Sequence, residues 1–259
     1  MNSQFANLPL QIGRDKVWER VHFAIKNEKP FSVIRYGEGE GRILGASKAE
    51  PLSMRVARRK VKKQTGQWIS DGDLFELQKD ILSSFLFADI IGIGAQKTWG
   101  EEYEQWYHVV VGKYLEMIPD VVREGQLISH PFVNYNILER VGEIACDAKT
   151  VTLITCRDLA SNKAFASLAS PLRHIQIPSQ FIKRSHDGLH ESLMHDVRIW
   201  PKIYRELIGI AERCSSGDLL LVGAGLFAKY VCAVAKQHGA VAVDMGSALD
   251  QLAGLKTRG

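Results

Sequence analysis

The segment FSVIRYGEGEGRILG, residues 31–45, holds the first side chains whose types and spacing could do chemistry. An apolar run ends in Arg35 and Tyr36, and Gly37, Gly39 and Gly41 then alternate with Glu38 and Glu40. Glycines so spaced let a backbone approach a phosphate, yet two like-charged carboxylates would repel one. On an extended segment residues i and i+2 project to one side, so the carboxylates would converge. Converging oxygens suit Mg2+ or Mn2+, which take their remaining ligands from water and substrate phosphates. Such a metal would bridge Glu38 and Glu40 to a phosphate, with Arg35 and Arg42 neutralising further charge. A glycine-rich turn carrying two solvated glutamates fits the motif equally well. A methyltransferase loop fits less well, because the place two before the first glycine, usually acidic, is Arg35.

A second glycine motif lies in DLLLVGAGLFAKYVCAVAKQHGAVAVDMG, residues 218–246. An apolar strand runs into Gly223-Ala-Gly225, then a helix, then a strand that ends in Asp244, 21 positions after Gly223. This GxGxxA pattern matches a nucleotide-binding fingerprint: the glycines allow a tight turn, the helix N-terminus faces a phosphate, and the acid takes a ribose hydroxyl. Tight strand-to-helix packing with a surface aspartate is the competing reading. Only 15 residues follow Asp244, so the expected ligand is one nucleotide diphosphate in a half-site. Lys229, one turn into the helix, could reach a phosphate. Arg157, in ITCRD, ends another apolar run and could contact a diphosphate or an acceptor, with a structural ion pair as the alternative.

The elements that must position these residues alternate along the chain. Apolar, β-branched runs predict strands at 31–36, 89–94, 126–129, 151–156, 173–178, 218–223 and 240–245. Helical patterns fall between them at 14–27, 71–86, 100–117, 134–146, 190–213 and 225–238. Alternation of this kind predicts an α/β fold, a single doubly wound, mostly parallel Rossmann-like sheet flanked by helices, with ligands beyond the carboxyl ends of the strands. One domain over 1–259 is the economical division.

An apolar share of 46% and a charged share of 24% place the chain among globular proteins rather than disordered ones. No run is long enough to span a membrane, and MNSQFANLPLQIGRDK lacks the plan of a signal peptide, so a cytoplasmic protein is expected. Cys146, Cys156, Cys214 and Cys232 have no metal-binding or redox spacing and read as reduced thiols. The net charge of +4 is concentrated in RVARRKVKK, residues 55–63, where six of nine residues are cations. A solvated face is the plain reading; the sharper ones are an anionic acceptor, the headgroup surface of a membrane, here peripheral contact with the inner face of the cell membrane, and, as the weakest, nucleic acid. No zinc-finger or aromatic-rich motif accompanies the run, so no nucleic-acid partner is expected.

SVIRYGEGE and LLLVGAGLFAKYVCAVAKQHGAVAVDMGSALD together resemble the bacterial GT-D-fold glycosyltransferases. That family was first catalogued as a domain of unknown function and is marked by an R-[FY]-G-D-G-E-like segment after the first strand. The resemblance implies a metal-dependent hexosyltransferase using a nucleotide-sugar donor, typically UDP-linked. It would act on a cell-surface glycan or glycoprotein. The family's D-x-E pair, which serves metal and donor diphosphate, falls on Glu38 and Glu40, with Glu38 in place of the usual aspartate. Ser247 stands after Asp-Met-Gly, where relatives carry a histidine. On this reading Arg35, Gly37, Gly39, Arg157, Gly223, Gly225, Lys229 and Asp244 form the nucleotide site, and Mn2+ or Mg2+ is the cofactor. An inverting transfer needs a base, and His186 and Asp187 in RSHDGLHESLMHD are the candidates, with capping or surface roles in competition. A non-catalytic nucleotide-binding or scaffold protein that keeps the fold is the other function class, and the E-x-E departure is what supports it.

Overall fold

The computed structural model describes residues 12–93, 104–118, 125–130, 132–159, 162–165, 168, 170–178 and 199–255. All seven expected strands form, and they join one sheet: β1 (Phe31–Tyr36), β2 (Ile90–Ile93), β3 (Leu127–Ser129), β4 (Thr150–Thr155), β5 (Leu172–Gln176), β6 (Asp218–Val222) and β7 (Val241–Asp244). The order is β3-β2-β1-β7-β6-β4-β5, and every pairing is parallel. Strands β1, β2, β3, β4, β6 and β7 are close to continuous apolar runs because helices cover both faces of the sheet.

One face is packed by α2 (Glu38–Leu44), α3 (Pro51–Thr65), α4 (Asp71–Phe87), α5 (Glu104–Met117), α8 (Tyr204–Ala211) and α9 (Ala228–Gln237). The other is packed by α1 (Arg14–Lys26), α6 (Val133–Glu139), α7 (Val141–Cys146) and α10 (Ala248–Leu252). Helix α4 shows why the sequence folds so locally. Ser70 caps it by accepting from the Asp73 backbone N–H, and Leu74, Leu77, Ile81 and Phe85 form its buried stripe. Helix α3 begins on Pro51 and stops at Gly66, whose φ of 75° is left-handed.

Differences from the sequence reading have local causes. The expected helix over 134–146 divides into α6 and α7 at Arg140, whose φ of −123° and ψ of 23° leave the helical region. The segment expected as 190–213 is described only from Ile199, with a kinked turn over Ile199–Ile203, where Trp200 leaves the helical region at φ −97° and ψ 138°, leading into α8. The expected extended segment after β1 is a helix, α2. Gly37 is its cap, and Glu40, at the third helical position, accepts a 2.8 Å hydrogen bond from the Gly37 N–H. Two acidic residues in the first turn also suit the positive end of the helix dipole.

Helix α2 lies so close to α5 that only glycine fits at the contact. A Cβ on Gly41 would sit 2.6 Å from the Trp106 carbonyl oxygen and 2.9 Å from the Trp106 Cβ. The obstacle includes backbone, so a rotamer change cannot remove it. Gly41→Ala is expected to cost about 1–3 kcal/mol, read from urea denaturation, because α2 must shift off α5.

The sheet order sets the place of the site. β1, β2 and β3 step outward in one direction, β4 crosses to the opposite half, and β6 and β7 return to fill the centre beside β1. The chain leaves β1 toward the face that holds α2 and leaves β7 toward the face that holds α10. Connections that part from neighbouring strands to opposite faces open a crevice at the carboxyl edge.

Candidate functional site

Three loops meet at that edge, from the ends of the adjacent strands β1, β7 and β6. Strand β1 delivers Arg35, and the cap and first turn of α2 deliver Gly37, Glu38 and Glu40. Strand β6 ends in the Gly223–Gly225 turn, α9 carries Lys229 in its first turn, and β7 ends in Asp244. The two glycine motifs are thus brought to one crevice.

Lys229 is the centre of a buried ion cluster. Its Nζ lies 2.6 Å from Glu40 Oε1 and 3.1 Å from Asp244 Oδ2, and it donates to the Gly225 carbonyl at 2.9 Å. Asp244 Oδ1 lies 3.4 Å from Arg35 Nη2, and Arg35 Nε donates to the Asp244 carbonyl at 3.0 Å. Two cations thereby meet two carboxylates, and Lys229, Glu40 and Asp244 are all buried. Burial alone would raise the Glu40 pKa, but the Lys229 ammonium and the Gly37 N–H override it and hold the carboxyl at about 2. Burial also works against the Lys229 charge, yet Asp244 and Glu40 keep its pKa above the ordinary lysine value.

Gly246 makes room for this arrangement. Its φ of 45° is left-handed, and a Cβ there would collide with the Arg35 guanidinium lying across the end of β7. On the other side of β7, Asn134 Nδ2 donates to the Met245 carbonyl at 2.5 Å and Tyr135 Oη lies 3.1 Å from Ser247 Oγ.

Glu38 faces a different set of partners. Its Oε2 lies 2.6 Å from Lys60 Nζ of α3, and its Oε1 pairs with the Arg42 guanidinium. Helix α3 also reaches the second motif, where Gln64 Oε1 accepts from the Leu226 N–H at 3.3 Å. One helix therefore touches both glycine loops. The sequence reading missed Lys60 because the cationic run looked solvated, and Gln64 because nothing in the sequence joins it to the second glycine motif. Lys229 had a legible signal: a lysine within the otherwise apolar start of α9 needs a buried partner.

This geometry tests the divalent ion implied by the E-x-E pair. Residues two apart on a helix point about 200° away from each other, so Glu38 and Glu40 diverge where an extended segment would have converged them. All four of their carboxylate oxygens face a donor: Arg42 and Lys60 for Glu38, Lys229 and the Gly37 N–H for Glu40. Among the described residues no three His, Cys, Asp or Glu side chains gather into a metal-holding group. As arranged, the pair does not fit a shared divalent ion. One can be held there only after Lys60 and Arg42 leave Glu38.

The remaining candidates divide as follows. Asp244 is fully buried and committed to Lys229 and Arg35, so its carboxylate does not face a ribose. Lys229 lies beneath the glycine turn and bonds its carbonyl, which is the structural alternative to reaching a phosphate. Arg157 is buried and pairs with Asp250 at 2.8 Å, the ion-pair alternative for that residue. Gly37 caps α2 and Gly39 lies in its first turn, while Gly223 and Gly225 lie in the turn after β6, and the two motifs converge. His186 and Asp187 fall outside the described residues.

The fold built on this seven-stranded parallel sheet is shared with known structures. The fold is the one described for domain of unknown function 1792. The solved structure reported as "the highly conserved domain of unknown function 1792 has a distinct glycosyltransferase fold" superposes with a TM-score of 0.53 at 14% identity, covering 94% of this chain and 82% of that one. A structure described as a new glycosyltransferase of this kind from Streptococcus sanguinis gives the same score and identity, covering 92% and 81%. No family model and no curated protein matches the chain. The likeness is one of fold, and the chemistry must be argued from the side chains.

Proposed function

We propose that this chain is a glycosyltransferase that moves a hexose from a nucleotide-sugar donor, UDP-linked, to a cell-surface glycan or glycoprotein acceptor. One observation carries the reading: Arg35 near the end of β1 with Gly37 and Glu38 at the start of α2, and the turn of Gly223 and Gly225, converge at the crevice beside β7, on a fold described as a distinct glycosyltransferase fold. The donor lies across the carboxyl ends of β1 and β6, its diphosphate over the Gly223–Gly225 turn. Arg42 and Lys60, gathered by Glu38, supply positive charge for the diphosphate as it departs. An acceptor hydroxyl attacks the anomeric carbon, and the bond to the diphosphate breaks with its electron pair leaving on phosphate oxygen. The hydroxyl proton passes to a base, for which His186 and Asp187 are the proposed residues.

A screen of UDP-, GDP- and dTDP-sugars, with and without Mn2+, tests this by following released nucleotide. Release from a UDP-sugar is the expected result, and failure to bind or turn over any donor overturns the reading. A strict requirement for Mn2+ would return Glu38 to the metal-binding role that the resemblance implies. The saturation of both glutamates also favours a second reading, a non-catalytic nucleotide-binding protein. Nucleotide binding without release from any donor would establish it.

A further inference from the structure

Helix α3 has a second face that the crevice does not use. Its fifteen residues carry Arg55, Arg58, Arg59, Lys60, Lys62 and Lys63 and no carboxylate. Met54, Ala57, Val61 and Gln64 are buried against the rest of the fold. Arg58 and Lys60 sit on the flanks and are paired, with Asp71 and Glu38. The opposite side is exposed. Leu52, Arg55, Arg59, Lys62 and Lys63 fall within an arc of about 100° at 3.6 residues per turn. Among the described residues no carboxylate pairs with Arg55, Arg59, Lys62 or Lys63; the nearest acids in sequence are Glu50, ahead of the helix, and Asp71, beyond it and paired with Arg58.

Apolar side chains stand at both ends of this cationic stripe. Leu52 is 72% exposed at its start, and Trp68 is 55% exposed just beyond its end. Lys62 Nζ lies 4.5 Å from the Trp68 ring centroid, so the indole adjoins the charged face. A solvated helix face needs neither feature. Cations that neutralise a negative surface, flanked by an aliphatic chain and an indole that enter its apolar margin, match an anionic lipid bilayer. A nucleic-acid backbone would match the charges but offers nothing to Leu52.

The geometry points to this face of α3 as a docking surface for an anionic membrane. Because Lys60 and Gln64 of the same helix touch Glu38 and the Leu226 N–H, a docked α3 holds both glycine loops at a fixed place relative to the bilayer. That consequence serves acceptors carried on a membrane and rests on the transferase reading; the docking itself does not.

Sedimentation of the full chain with phosphatidylcholine vesicles, with and without phosphatidylglycerol, tests the surface without reading sugar transfer. Binding is expected only to the phosphatidylglycerol vesicles and is expected to weaken as salt rises. Arg59→Glu combined with Lys63→Glu should weaken partition by about tenfold or more, with an unchanged melting temperature showing that the fold is intact. Tryptophan emission should shift to the blue on vesicle binding, and Trp68→Phe should remove the shift. Equal binding to neutral vesicles, no binding to either, or undiminished binding by the charge-reversed variant overturns the proposal. So does binding to an oligonucleotide with no vesicle association.

Discussion

Lys229→Met is expected to destabilise the folded chain by about 3–5 kcal/mol, the range for removing one partner of a buried ion pair. The methionine fills similar space, but Glu40 and Asp244 then face each other in the interior with Arg35 as the cation that remains in the cluster. Urea denaturation at neutral pH measures the loss. The pH dependence should also reverse. In the native chain Glu40 has its pKa lowered from 4.5 to about 2, so its contribution is fully present above the unfolded value and is lost as pH falls through about 2. Without the ammonium, the burial that opposes the Glu40 charge raises its pKa instead, so the variant should gain stability as pH falls toward the ordinary carboxylate value. Adding Glu40→Gln to the variant should recover part of the loss by removing one buried charge. A Lys229→Met protein as stable as the parent would mean that the cluster carries no net electrostatic role.

Glu38→Gln should have the opposite profile from Glu40→Gln. Glu38 is partly exposed but its partner Lys60 is mostly covered, so its substitution should move stability by about 1–2 kcal/mol, less than that of the buried Glu40. Donor turnover should fall about a hundredfold, because the carboxylate that gathers Lys60 and Arg42 beside the departing diphosphate loses its charge. Glu40→Gln leaves Lys229 and Arg35 against Asp244 alone, and should lower the unfolding midpoint before any effect on turnover is read. Nucleotide release and urea denaturation on both variants separate the two glutamates. Full turnover by Glu38→Gln would remove it from the transfer step.

The strand sequence and its sites were legible for a specific reason. Every strand but the edge strand β5 is largely buried, so most read as short apolar runs, and both glycine motifs follow such a run directly. The short helix α2 was not legible, because two glycines in seven positions, with a glycine at each end, argue against a helix on propensity. Tertiary packing overrides that preference: Gly41 permits the close approach of α5, and Glu40 caps its own helix. Arg157 shows the converse, since its strand-end position suggested a ligand while the fold supplies Asp250 from α10 as its partner.

Local pattern therefore determined the parallel α/β class, the two glycine loops and the concentration of charge in residues 55–63. Those properties depend on neighbours in sequence, through period, turn chemistry and composition. Which oxygen meets which cation was decided only by the tertiary structure. Glu40 and Lys229 are 189 residues apart (229 − 40), and they meet because β7 and β6 return to the centre of the sheet beside β1. The same closure turns Asp244 inward and leaves Glu38 with Lys60 and Arg42. A motif names the residues that reach a crevice; the strand order chooses the charges they face, because Coulomb partners are set by distance in space and not by separation along the chain.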